Sequence, residues 1–203
     1  MDEWIQRSSD SFQKFTGKTL YQEMTLRSID NNKDITSPGD VHNNTQFAVL
    51  SHGVQDDPIY NYFNEGAFLA FGFDPETVYQ LPSRYSAPDG KVRSERSALL
   101  AQTTTTVDTN GTIPRDPQND IQPPKPSSSS SSDSKDILYL DNAIRQRQTG
   151  ELFAIDKVIL WNVYDKDFVT RIGQTAIFDR TKVVPVLKEH ENEDGSNLDP
   201  EIS

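Results

Sequence analysis

Trp4, Ile5, Ser8, Phe12 and Phe15 recur at helical spacing, and Gly17 follows directly. Side chains so spaced share one face of a helix, and a glycine just past the last turn closes it, so the pattern predicts a helix ending at Gly17. A second short helix is predicted from Leu20 to Leu26. Residues 27–45 are polar, with Ser37-Pro38-Gly39 as a turn. Phe47–Ser51 and Ile59–Phe63 are apolar, β-branched or aromatic, and Asp56-Asp57-Pro58 turns the chain between them, which predicts two strands. Asn64 is placed to cap a short helix, Glu65–Phe71, ended by Gly72. Asp74-Pro75-Glu76 opens a further helix that stops at Leu81-Pro82. Pro88-Asp89-Gly90 precedes a longer one over about residues 92–103, with Leu99 and Leu100 inward.

Beyond residue 136 the period becomes that of strands. Ile137–Arg147 is extended. In Leu152–Tyr164, strict alternation places Phe153, Ile155, Ile159, Trp161 and Val163 on one face, interrupted by Lys157. Leu152, Ala154, Val158, Leu160 and Tyr164 fall on the other, interrupted by Asp156 and Asn162. Asp165-Lys166-Asp167 predicts a three-residue hairpin loop, with Phe168–Phe178 returning antiparallel. Helix, two strands, three helices and three strands make an α+β fold. The expectation is a five-stranded antiparallel sheet with helices across one face, a concavity between them, and an N-terminal helix in addition.

Residues 107–136 break this pattern with five prolines and a serine run, Ser127–Ser132. So little there can be buried that the stretch reads as a Pro/Ser-rich, disordered insertion. Ser130 lies three residues before Asp133, the spacing an acid-directed kinase reads, although a plain spacer is the simpler reading. In residues 188–203, Lys188 faces Glu189, Glu191, Glu193, Asp194, Asp199 and Glu201, with Leu198 and Ile202 the only large apolar groups. That composition predicts an acidic disordered tail. The domain itself is therefore assigned to residues 46–106 and 137–180, with residues 1–26 as its N-terminal helical segment.

Composition agrees: only 33% of the 203 residues are hydrophobic, and mean hydropathy is −0.69. The net charge is −11, and no cluster of Lys and Arg offers a phosphate backbone its counter-charge, which argues against nucleic acid as a partner. No run of apolar residues is long enough to span a bilayer. The first residues, MDEWIQRSSD, resemble neither a secretory nor a transit leader, so a cytoplasmic location is expected and the Asn43 and Asn110 sequons are read as chance. The absence of cysteine excludes disulfides, cysteine nucleophiles, thiolate metal sites and a cysteinyl-flavin photosensor.

Chemistry-bearing constellations are sparse. Ser51-His52-Gly53 with Asp56 and Asp57 holds the residue types of a hydrolytic triad, but Ser51 and His52 are neighbours on a strand and point to opposite faces. His52 reads as a structural histidine or a polar group on a cavity wall. The three histidines, His42, His52 and His190, do not have metal-ligand spacing. Gly53, Gly66 and Gly72 form no phosphate-cradling fingerprint. What remains is a candidate ligand site around the concavity: His52, Tyr62, Asn64, Phe68, Arg84, Trp161, Asn162 and Gln174. The bland reading of the same residues is a capping Asn64, an Arg84 paired with an acid, core packing by Trp161 and Phe68, and sheet-tying amides at Asn162 and Gln174.

The element order is that of PAS-like sensor domains, and the residues support a narrower resemblance. Phe12–Leu20 (FQKFTGKTL), Ser51-His52-Gly53, Asp57–Asn64 (DPIYNYFN), Leu81–Arg84 with Ser86-Ala87, Glu95-Arg96 with Leu99-Leu100, Gly150 with Phe153, Trp161-Asn162, and Gly173-Gln174 with Ala176 and Phe178 resemble, in order and spacing, the MEKHLA domain family. This is a PAS-related group of stand-alone proteins and C-terminal modules of plant homeodomain-leucine-zipper transcription factors. The likeness runs from about Trp4 to Phe178 on both sides of the insertion. Where family members read YSGVR, this chain reads Asp141-Asn142-Ala143-Ile144-Arg145, keeping only the arginine. The resemblance implies a non-catalytic sensory or regulatory module with an unknown small ligand and no assignable cofactor. The alternative is a protein-interaction or dimerisation module without ligand, using Trp4, Ile5, Phe12 and Phe15 as anchors for a second copy or a regulatory partner.

Overall fold

The computed structural model describes residues 1–30, 34–88 and 136–186. The expected insertion and acidic tail, the helix over 92–103 with Glu95-Arg96, and Ser130 lie outside the described residues, apart from Asp136. The chain begins with helices α1 (Asp2–Thr16), α2 (Leu20–Arg27) and α3 (Pro38–His42). Strands β1 (Phe47–His52) and β2 (Tyr60–Phe63) follow, then α4 (Glu65–Phe71) and two 3-10 turns, Val78–Gln80 and Ser83–Ser86. Strands β3 (Ile137–Gln146), β4 (Leu152–Tyr164), β5 (Arg171–Asp179) and β6 (Val183–Val186) complete the described chain.

All strands belong to one antiparallel sheet ordered β2-β1-β5-β4-β3, the PAS-like arrangement expected from the sequence, with β6 paired to β4 as a sixth strand. Two apolar layers cover it. On one face α1, α2 and α3 bury Ile5, Phe12, Leu20, Met24 and Val41 against Phe47, Val49, Tyr62, Ile159, Trp161, Val163 and Ile177. On the other face α4 and the segment after it bury Ala67, Ala70, Phe71, Phe73 and Val78 against Ala48, Leu50, Tyr60, Phe63, Val158 and Phe178. We call these the helix face and the cavity face.

Local chemistry explains most elements. Gly17, in the left-handed region at φ 76°, ends α1. Thr19 and Gln22 form a reciprocal cap on α2. Ser37 and Asp40 form the same kind of cap, so the predicted turn at Ser37-Pro38-Gly39 is the start of α3, with Pro38 where its missing N–H costs nothing. Two expectations fail. The helix expected from Asp74-Pro75-Glu76 to Leu81 is only the single 3-10 turn Val78–Gln80: Asp74 caps the Glu76 N–H, but Pro82 stops propagation at once. The hairpin loop expected at Asp165-Lys166-Asp167 extends to Thr170, because Phe168 adopts φ 54° and the loop closes between Asp165 N–H and the Thr170 carbonyl.

The strict alternation expected along β4 also fails. Phe153 and Ile155 lie on the cavity face, together with Val158, not with Ile159, Trp161 and Val163. The face assignment switches at Asp156 and Lys157, which are both exposed. There β4 changes partner from β6 (Leu152–Ile155) to β5 (Val158 onward). On the neighbouring strand, Asn142 stands opposite this switch at φ 54°, and Leu140 and Ala143 on either side of it both meet the cavity face.

Candidate functional site

One row of residues crosses three strands in register: His52 of β1 opposes Gln174 of β5, which opposes Asn162 of β4. All three are on the cavity face and buried. The Gln174 amide donates to Asn162 Oδ1 at 3.3 Å, and Arg171 donates to the same oxygen at 3.4 Å. Asn162 in turn donates to Asp136, which also accepts from the Tyr164 hydroxyl at 2.6 Å. Burial and the Asp136 carboxylate push the Tyr164 phenol up to about 12. His52 Nδ1 lies 2.8 Å from the Gly53 carbonyl, which places its proton on Nδ1 in the neutral ring.

Beside this row is a cavity of about 60 Å3. Its apolar wall is Leu50, Leu140, Val158, Leu160, Ala176 and Phe178; its polar groups include His52, Gln174, Ser86 and Arg145. Tyr60 also lines it, with its hydroxyl donating to the Ser83 carbonyl at 3.1 Å.

Of the eight residues predicted from sequence, His52 and Gln174 line this cavity and Asn162 adjoins it through Gln174. Five are placed elsewhere. Asn64 is saturated: its Oδ1 accepts from the Val49 and Ala67 N–H groups, and its amide donates to the Val41, Asn44 and Phe47 carbonyls. Arg84 reaches outward to an ion pair with Asp57, about half exposed. Phe68 packs on the outer side of Phe63 with ring centroids 5.4 Å apart. Trp161 is on the helix face, donating its indole N–H to the Ser8 carbonyl at 3.0 Å. Tyr62 is on the helix face too, with its ring 6.3 Å from that of His42. Its buried hydroxyl has no hydrogen-bond partner among the described residues, and burial raises its pKa well above the ordinary phenol value. Ser86 and Arg145 line the cavity without having been chosen from the sequence. Arg145 was visible as the retained arginine of its stretch, but the switch at Asn142 that turns it inward leaves no pattern to read.

The row next to the cavity row faces the other way. Ser51, Thr175 and Trp161 are in register and contact α1: Trp4 donates to Ser51 Oγ at 2.7 Å, Ser8 Oγ to Thr175 Oγ1 at 2.9 Å, and Trp161 to Ser8. Gly173 makes room for this, since a Cβ there would lie 2.6 Å from both the Trp4 ring and the His52 carbonyl. Among the described residues no three His, Asp or Glu side chains converge as a metal site requires, and no helix is long and apolar enough to cross a membrane.

The family model of the MEKHLA domain matches residues 2–112, more than half of the chain. The chain belongs to the MEKHLA domain family. The match takes in α1 to the 3-10 turns, and β3 to β6 lie beyond it. It is a PAS-related family. No curated protein matches the chain significantly. Among solved structures, the PAS domain of a protein from Colwellia psychrerythraea is 10% identical, with 66% of this chain and 85% of that one covered and a TM-score of 0.43. The blue-light activated histidine kinase of Erythrobacter litoralis EL346 is 14% identical at a TM-score of 0.42, and the chain spans 33% of its length. Its LOV domain alone is 13% identical at 0.41, with 66% and 94% covered. Similarity at this level transfers no function to this MEKHLA domain.

Proposed function

We propose that this MEKHLA domain is a non-catalytic sensory module that holds a small ligand in the cavity and reports its presence through the sheet to α1. The observation that carries the reading is the pair of adjacent rows. His52 and Gln174 line the cavity and Asn162 adjoins it, while their immediate neighbours Ser51, Thr175 and Trp161 bond or pack against α1. Neighbouring strand residues share one peptide unit, so a shift that a ligand imposes on one row displaces the other. Among the described residues no nucleophile, base and orienter converge in support of catalysis.

Native mass spectrometry of the purified full chain tests the ligand. The expected spectrum contains a species heavier than the polypeptide by one small molecule, lost in Ala176→Val, which fills the cavity from the middle of β5. Wild type and variant each seen only at the mass of its own bare polypeptide would contradict the proposal. The same spectrum gives the oligomeric state. Ile5 and Phe12, two of the anchors an interaction module would use, are buried against the chain's own sheet, which favours the ligand reading.

A further inference from the structure

Two polar atoms lie side by side in the apolar core of the helix face. The Tyr62 hydroxyl and His42 Nδ1 are both buried, and neither has a hydrogen-bond partner among the described residues. Their rings are neighbours, with centroids 6.3 Å apart and planes at 60°. We propose that this core binds one internal water molecule between them, which accepts from the Tyr62 hydroxyl and donates to His42 Nδ1. The inference stands apart from the ligand reading above, because Tyr62 belongs to the layer on the other side of the sheet from the cavity.

Energy, chemistry and size all select water. Tyr62 is 1% exposed, so bulk solvent does not reach its hydroxyl. A buried polar atom without a hydrogen bond costs the fold more than the ordering of a single water does, and here one water answers two such atoms. Burial also holds the phenol above its ordinary pKa, so the hydroxyl keeps its proton and donates. A neutral imidazole with its proton on Nε2 offers Nδ1 as an acceptor. A donor and an acceptor that do not reach each other are joined by a group that accepts from one and donates to the other. An ion would find no counter-charge, since among the described residues no Asp, Glu, Lys or Arg is buried. Leu20, Met24, Val41 and Phe47 of the same layer are 0–1% exposed, and a core so closed leaves voids no larger than about one water. The position matters for the sheet as well. Tyr62 opposes Ser51 in register, so it carries the Ser51–Thr175–Trp161 row onto β2. α1 meets that row by direct bonds, and His42 is the last residue of α3. The bridging water therefore gives α3 its own polar tie to the row, beside the bond from Asn64 to the Val41 carbonyl.

Magnetic relaxation dispersion of the water oxygen nucleus counts the waters that stay bound long enough to tumble with the protein, and its use on the full chain tests the proposal. Tyr62→Phe and His42→Leu are each expected to hold one such water fewer than wild type, and the double variant to have lost only that same one. The urea midpoint of Tyr62→Phe is expected to fall. An equal count in wild type and both variants overturns the proposal: a lowered midpoint then shows that protein groups answer the two atoms, and an unchanged midpoint that nothing does. Loss of a water in one single variant only, or of two in the double variant, overturns the bridge. Should Tyr62→Phe fail to fold, His42→Leu, at a half-buried position, delivers the same count.

Discussion

Trp4 of α1 donates its indole N–H to Ser51 Oγ at 2.7 Å, and Ser51 donates onward to Asn61 Oδ1 at the same distance. Ser51 is the residue before His52, which lines the cavity on the opposite face. The N-terminal helix is thus tied to the strand position that abuts the cavity. Trp4→Phe keeps most of the ring packing and removes the donor. The expected cost is about 1–2 kcal/mol in urea unfolding, the usual cost of one part-buried hydrogen bond, with faster amide exchange confined to α1. An unchanged urea midpoint and unchanged exchange in α1 would show that the bond does not hold the helix.

Asn64 makes the heaviest polar commitment in the described chain. Asn64→Asp keeps both accepted bonds but sets a carboxylate against the carbonyls of Val41, Asn44 and Phe47. Losing the two amide N–H groups shared among these three carbonyls and burying a charge should cost about 3 kcal/mol or more, at least as much as Asn64→Ala. Equilibrium denaturation of both variants checks this; an Asp variant as stable as wild type would refute it.

Gly173→Ala places a methyl group within 2.6 Å of the Trp4 ring and the His52 carbonyl. The Trp4 ring can swing away, but the His52 carbonyl is cleared only by a shift of the β1–β5 backbone, so the variant is expected to be less stable than wild type and to release Trp4 toward solvent. Tryptophan emission should shift to the red, and Trp4→Phe in the same background should abolish the shift, since the other tryptophan, Trp161, is fully buried. Emission identical to wild type would argue against the close approach.

Tyr164 and Tyr62 both have phenol pKa values raised by burial, the former to about 12. A folded-state pKa above the unfolded value near 10 means that the native state holds the proton more tightly. The associated stability is therefore complete below about pH 10 and is lost as pH rises toward 12. Urea midpoints should fall over that window, and Tyr164→Phe should flatten part of the fall. A midpoint constant to pH 12 would contradict the assignment.

Much of the architecture was legible because local chemistry and tertiary packing agree. Gly17, Asn64 and Gly72 close or open the helices predicted from them. Ser8 sits in the apolar stripe of α1 because it bonds to Thr175 and accepts from Trp161. Other features had no local signal. The reversal of faces in β4 depends on a partner change between β6 and β5, which is a tertiary event. β6 itself contains Pro185, which demotes a sequence run as a strand, yet Val183–Val186 pairs at an edge where one missing N–H is tolerated. The candidate site followed the same division. His52, Gln174 and Asn162 were readable as strand residues around a concavity. Trp161 and Tyr62 were assigned without knowing which face α1 covers, and Arg145 required the switch at Asn142.

The central claim is that the cavity and α1 are coupled through the two adjacent rows of β1, β5 and β4. Hydrogen exchange of the full chain, comparing wild type with the cavity-filling Ala176→Val, tests it most directly. The account predicts a change of several-fold in the exchange of α1 amides, on the far side of the sheet from the substitution. Exchange in α1 identical between the two proteins, with changes confined to β5 and α4, would contradict it.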